Sequence, residues 1–196
     1  MNNLYPIFDT LVSKQQKETL LQQRGRVVWM VGLSGSGKST LARAAEHTLY
    51  AQQKVTMLLD GDNLRTGVNN NLGFSQEDRE ENVRRAAEVA KLFAGAGVIT
   101  ICSLISPTED IRALARSIIG EDYYEVYVDC PLEVCEQRDV KGLYAKARRG
   151  EISDFTGVSA PFEPPGQPDL RLRTDQQSLE ESHQLLVNAI LNHTAL

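Results

Sequence analysis

Apolar residues fall along this chain in two alternating patterns. Short unbroken runs occupy residues 27–31 (VVWMV), 55–59, 98–104 and 124–128, with a briefer one at 170–174. Between them lie longer segments whose apolar positions recur every three or four residues. After the first run, for example, Leu41, Ala44, Ala45, Thr48 and Leu49 form one stripe. Buried strands alternating with amphipathic helices predict βαβ units, hence an α/β fold built on a parallel sheet with helices on both faces.

Local signals place the helix ends. Ser75 and Asp78 read as a capping box opening a helix that runs to about Ala94 and stops at Gly95 and Gly97. Ser106, Pro107 and Glu109 read as N-cap, first-turn proline and acidic partner of another. A short helix should hold Val134 and Cys135, and a last one should run from Ser178 to about Leu191. Residues 1–25, polar and rich in Gln and Lys, predict a peripheral helix or arm, and residues 26–196 a single domain. Within that domain residues 139–168 turn to Gly, Pro, Lys and Arg. Such a stretch with little core content reads as a mobile lid.

Composition narrows the function classes. The formal charge is −5, with 41% hydrophobic and 24% charged residues in a chain of 196, which argues against a general nucleic-acid binder. Cys102, Cys130 and Cys135 lack metal-site spacing, and the start MNNLYPIFDTLV lacks the basic and apolar regions of a leader. No run could span a bilayer. The expectation is a cytoplasmic protein with neither nucleic-acid nor membrane partners.

Candidate chemistry begins where the first strand ends. GLSGSGKST matches the phosphate-binding loop GxxxxGK[ST] between a predicted strand and a predicted helix, the context the motif requires. Gly32, Gly35 and Gly37 let the backbone turn tightly, and with Leu33, Ser34, Ser36 and Thr40 aim amide N–H groups at anionic oxygens. Lys38 would reach the β and γ phosphates, and the Ser39 hydroxyl would ligate Mg²⁺. These features predict a P-loop nucleoside-triphosphate kinase fold with ATP as donor.

The second half of the site has to identify the acceptor. Asp60 and Asp62 flank a glycine at a strand's carboxyl edge, Arg65 follows, and Arg79 and Asn82 share a helix face. A carboxylate able to take a hydroxyl proton beside two guanidiniums describes an anionic acceptor with a free hydroxyl. The rest of DREENVRR, with Glu80, Glu81, Arg84, Arg85 and Glu88, also reads as a solvated face of i,i+4 ion pairs.

From about Arg26 to its end the chain resembles the adenylylsulfate kinase (APS kinase) family. GLSGSGKST, DGDNLR, GFSQEDREENVRR, LISP, VDCPLEVCEQRDVKGLYAKARRGEI and DFTGVSAPFEPP recur in order at family-like spacing. The resemblance implies transfer of the ATP γ-phosphate to the 3′-hydroxyl of adenosine 5′-phosphosulfate (APS), giving 3′-phosphoadenosine 5′-phosphosulfate and ADP. It implies that Asp62 accepts or orients the hydroxyl proton, with Asp60 in the Mg²⁺ environment. Arg65, Arg79 and Asn82 match phosphosulfate-binding positions, and Phe74 matches an aromatic that stacks on the acceptor's adenine. Lys141 and Phe155 match lid positions that close on the acceptor, and Ile105 and Ser106 a stretch lining the same pocket. Lys146, Arg148 and Arg149 crowd the lid, and at least one of them, Arg148 foremost, should meet ATP on closure. The resemblance also implies a homodimer and a functional link to ATP sulfurylase.

Ser106 keeps two readings: the family serine has been described as carrying a phosphoryl group, whereas the SPTE context favours a helix cap. Thr108 and Phe162 depart from the family pattern, which has an aromatic and a tyrosine there. Two further hypotheses are a P-loop kinase of another small anionic alcohol and a non-catalytic nucleotide-binding module. Retention of Lys38, Ser39, Asp62, Arg65, Arg79 and Lys141 together speaks for the enzyme.

Overall fold

Val27–Val31 forms strand β1, and all five residues are buried. A strand without polar alternation must be covered on both faces, and β1 is central. A computed structural model of the chain describes residues 5–7 and 10–196, so part of the stretch read above for a leader lies outside the described residues. The other strands are β2 (Thr56–Asp60), β3 (Ile99–Ser103), β4 (Tyr123–Asp129) and β5 (Leu170–Arg173). Their order is β2-β3-β1-β4-β5, every neighbouring pair parallel. Ser103 pairs in register with Met30 on one side and Asp60 on the other. The carboxyl ends of β1, β2 and β3 therefore finish level, at the edge where open α/β sheets bind ligands.

Side-chain alternation along β1 divides the core. Val28 and Met30 face helices α2 (Lys38–Ala51) and α8 (Leu179–Thr194), meeting Leu41, Ala45, Leu186 and Ile190. Val27, Trp29 and Val31 face α4 (Gln76–Gly95) and α5 (Glu109–Ile119), meeting Val83, Ala86, Ala90 and Ile111. The stripe expected on α2 is shifted: Ala42 is fully buried, while Ala44 and Thr48 are half-buried and Thr48 bonds the ring of His183.

Two helix starts differ from the sequence reading. Ser75 caps α4 by accepting from Asp78 N, but the Asp78 carboxylate accepts from Gly73 N and so braces the preceding turn. The cap of α5 is Thr108, whose hydroxyl accepts from Ile111 N, and not Ser106. Threonine at the family's aromatic position thus has a local reason. Ser106 lies two residues upstream with φ 47°, outside the extended conformation a cap adopts.

The amino-terminal helix α1 (Lys14–Leu21) opens with a full capping box between Ser13 and Gln16 and buries none of its residues. It is tied to the body where Lys14 and Arg26 converge on Asp122. Residues 61–66 form the short α3 (Gly61–Thr66), and α6 (Leu132–Arg138) and α7 (Leu143–Arg148) follow β4. The expected lid holds more apolar packing than its composition suggested. Tyr144 is buried with Leu33, Cys130 and Cys135, and Phe155, Val158 and Phe162 pack against them. Among the described residues no helix is long and apolar enough to cross a membrane.

Candidate active site

The loop after β1 can turn only because of its glycines. A Cβ on Gly32 would lie 2.6 Å from the Val128 carbonyl oxygen, and Gly37, the N-cap residue of α2, has φ 105°. Lys38 opens α2 and folds back into the loop, its Nζ donating to the Gly32 and Leu33 carbonyls at 2.8 Å each. Burial brings its pKa down to about 8, an effect that the nearby Asp60 and Asp62 carboxylates only partly offset. Ser34, Gly35, Ser39 and Thr40 line the cleft above the loop, whereas Leu33 turns its side chain into the core behind it and Ser36 is buried.

Three oxygen groups meet at the strand edge. Ser39 Oγ donates to Asp60 Oδ2 at 2.6 Å and lies 3.2 Å from Ser103 Oγ. The other oxygen of Asp60 accepts from Asp62 N, so one carboxylate both braces the phosphate loop and starts α3. That turn lifts Asp62 into the open, 73% exposed, where Lys141 of the lid pairs with it.

The far wall is cationic and aromatic. Phe74 is 61% exposed, with the Arg65 guanidinium 4.4 Å and the Arg79 guanidinium 5.8 Å from its ring centre. Among the described residues Arg65 uses only Nη1, on the Leu72 and Gly73 carbonyls. Arg79 spends its whole fork: Nε donates to Phe74 O, Nη1 to Thr156 Oγ1 and Nη2 to Asp154 O. Burial lowers the pKa of both arginines, and for Arg79 the nearby Arg65 charge adds to the effect. Asn82 is buried one turn beyond Arg79, and Asn69 Nδ2 donates to its Oδ1. Ile105, Ser106 and Phe155 complete the walls of a cleft of about 360 Å³. Ser106 Oγ accepts from Trp29 Nε1 at 3.0 Å, and its carbonyl accepts from the buried Arg112.

The fold therefore gathers the expected donor and acceptor residues into one cleft, with four exceptions. Gly32, Leu33 and Ser36 support the loop from behind, and Arg148 lies outside, its fork on Glu136 with two bonds of 2.9 Å. Arg138 is the cation beside the phosphate loop, reaching Gly35 O and the Thr174 carbonyl. Sequence reasoning passed over Arg138, Tyr144, whose hydroxyl donates to Ser34 O, and Ser103, although each stands in or next to a quoted motif. Thr156 and Asn69 carried no chemical signal, because their roles depend on partners far away in sequence. DREENVRR divides as its two readings did: Arg84 and Arg85 pair with Glu81 on the outer face.

The chain is similar to proteins of one named family. The family model described as adenylylsulphate kinase matches residues 24–173. An adenylyl-sulfate kinase of Bacteroides fragilis is 58% identical over 97% of this chain and 95% of its own length. One of Phocaeicola vulgatus is 58% identical over 96% and 93%. Among solved structures, the Mycobacterium tuberculosis APS kinase in complex with AMPPNP and APS superposes with a TM-score of 0.82 at 48% identity, covering 86% of this chain and 98% of that one. A gluconokinase of Sinorhizobium meliloti, 16% identical with a TM-score of 0.58, shares the fold.

Proposed function

Since the chain belongs to the adenylylsulfate kinase family and phosphorylates the 3′-hydroxyl of adenosine 5′-phosphosulfate at the expense of ATP, we propose that it does so by direct in-line transfer with Asp62 taking the proton. The observation that carries this reading is a single cleft with an amide-lined phosphate loop on one side and an exposed carboxylate beside two guanidiniums and an open aromatic face on the other.

Lys38 and the loop amides hold the β and γ phosphates, and the ammonium exchanges the Gly32 and Leu33 carbonyls for phosphate oxygens. Arg65 keeps Nε and Nη2 for the acceptor's anionic bridge, and the exposed face of Phe74 offers a platform for its base. Lys141 moves from Asp62 to the acceptor as the latter enters, which frees the carboxylate to receive the proton. A bond forms between the 3′-oxygen and the γ-phosphorus while the bond from that phosphorus to the β,γ-bridging oxygen breaks. The electron pair leaves with ADP, and the hydroxyl proton goes to Asp62.

Ser39 Oγ and the Asp60 carboxylate suit Mg²⁺, a hard cation that takes a few protein oxygens and completes its shell with phosphate and water. When bound there, the ion would neutralise charge between the β and γ phosphates. Ser106 forms part of the wall in this scheme. Its hydroxyl is buried, accepts from Trp29 and has no basic side chain bonded to it among the described residues.

The test sets ATP and Mg²⁺ against adenosine 5′-phosphosulfate, AMP, shikimate and gluconate in parallel, reading ADP. Only the first should support rapid turnover. Asp62→Asn should lower kcat by about a hundredfold or more while ATP affinity stays within about threefold. Near-parental turnover in that variant would reject Asp62 as the proton acceptor.

A further inference from the structure

Asn69 lies in the turn between α3 and α4 and is completely buried. Its Nδ2 donates to Asn82 Oδ1 at 3.0 Å and lies 3.4 Å from the Asn82 main-chain oxygen, while its own Oδ1 is buried without a partner. The main-chain oxygen decides which end of the Asn69 amide faces α4, because an Asn69 oxygen placed there would meet that fixed acceptor whichever way the Asn82 amide turned. One end of the Asn82 amide is thereby consumed. The end left over, Nδ2, has no acceptor among the described residues but is not sealed from solvent, and Asn82 lines the cleft one turn from Arg79.

From this arrangement we infer that Asn69 is a specificity-determining positioning residue: it fixes the Asn82 amide so that a donor, and never an acceptor, faces the anionic part of the second substrate. The inference rests on the proposed placement of the acceptor beside Arg65, Arg79 and Asn82. An amide free to rotate would present its oxygen part of the time, and that oxygen would repel phosphate or sulfonyl oxygens. A locked amide presents N–H alone. The cost is one orphaned buried oxygen on Asn69.

The test is to invert the lock. In the ionised form of Asn69→Asp neither side-chain terminus is a donor, so the Asn82 amide turns its nitrogen inward and its oxygen toward the cleft. The KM for adenosine 5′-phosphosulfate should rise about tenfold or more, with the KM for ATP within twofold and a lowered Tm, because the position buries a carboxylate. Asn69→Leu, which orients neither end, should raise it by only about threefold and serves as the reading if the aspartate variant fails to fold. In an Asn82→Leu background the Asn69→Asp penalty should vanish, whereas direct charge repulsion would survive there. An unchanged acceptor KM in Asn69→Asp, or a penalty that persists without Asn82, would overturn the inference. If Asn82→Leu alone leaves the acceptor KM unchanged, the placement of the acceptor is at fault instead.

Discussion

Burial of the Lys38 ammonium gives nucleotide binding a pH dependence that an exposed lysine would not. Free, the group titrates near 8, well below the usual 10.5 for a lysine, because burial disfavours its charge. Bound phosphates favour the charged form, so above pH 8 binding must take up a proton. Affinity is then greatest below the free pKa and falls as pH rises through it, by up to about tenfold per unit. The kcat/KM for ATP should bend downward near pH 8, and ATP binding measured by calorimetry in two buffers should show proton uptake on the alkaline side. Lys38→Arg, still charged there, should remove the bend. A profile flat to pH 10 in the parent would show that the ammonium is not the titrating group.

At the scale of elements, the two residues that compete for the start of α5 make opposite predictions. Thr108→Ala removes the hydroxyl that accepts from Ile111 N and should cost about 1 kcal/mol in chemical denaturation. Ser106→Ala should leave the α5 cap intact and keep substantial turnover, its main effect being an unpartnered Trp29 N–H. On the outer face of α4, bonds from Arg84 and Arg85 hold the Glu81 carboxyl down to about 2. Both arginines and Glu81 face solvent, which screens the pairs, so Glu81→Gln should cost under about 1 kcal/mol and leave kinetics unchanged. The helix boundaries were legible because apolar period and Gly punctuation are local. The cap of α5 was not, because Ser106 and Thr108 both satisfy the pattern, and the Trp29 and Arg112 side chains that hold Ser106 in its turn come from elsewhere.

For the whole molecule, the segment proposed as a lid is joined to the acceptor half by Lys141 on Asp62, by Arg79 on Asp154 and Thr156, and near its end by Glu163 on Pro107 and Glu109. In the proposed scheme Arg79 would act on the acceptor by holding this segment over it as well as by charge. Arg79→Met should raise the rate of tryptic cleavage after Arg149 in the ligand-free protein, read as fragment masses over time. A rate equal to the parent's would mean that these bonds do not restrain the segment. The same variant should bind ATP with little change, since none of these ties touches the phosphate loop.

The order of apolar runs, the glycines of the loop and the spacing of Lys38, Asp62, Arg65, Arg79 and Asn82 were enough to establish the α/β architecture, the nucleotide cradle and the class of acceptor. Each of these depends on local period, on backbone freedom or on charge carried by residue type. Tertiary structure alone decided which end of each polar group is used: Arg79 committed to the lid, Ser106 to an indole, Arg148 turned away toward Glu136, and the Asn82 amide set by Asn69. A hydrogen bond has direction and a reach of about 3 Å. Its partner is therefore settled by which distant segments the parallel sheet brings to one edge, and nothing in the neighbouring sequence records that.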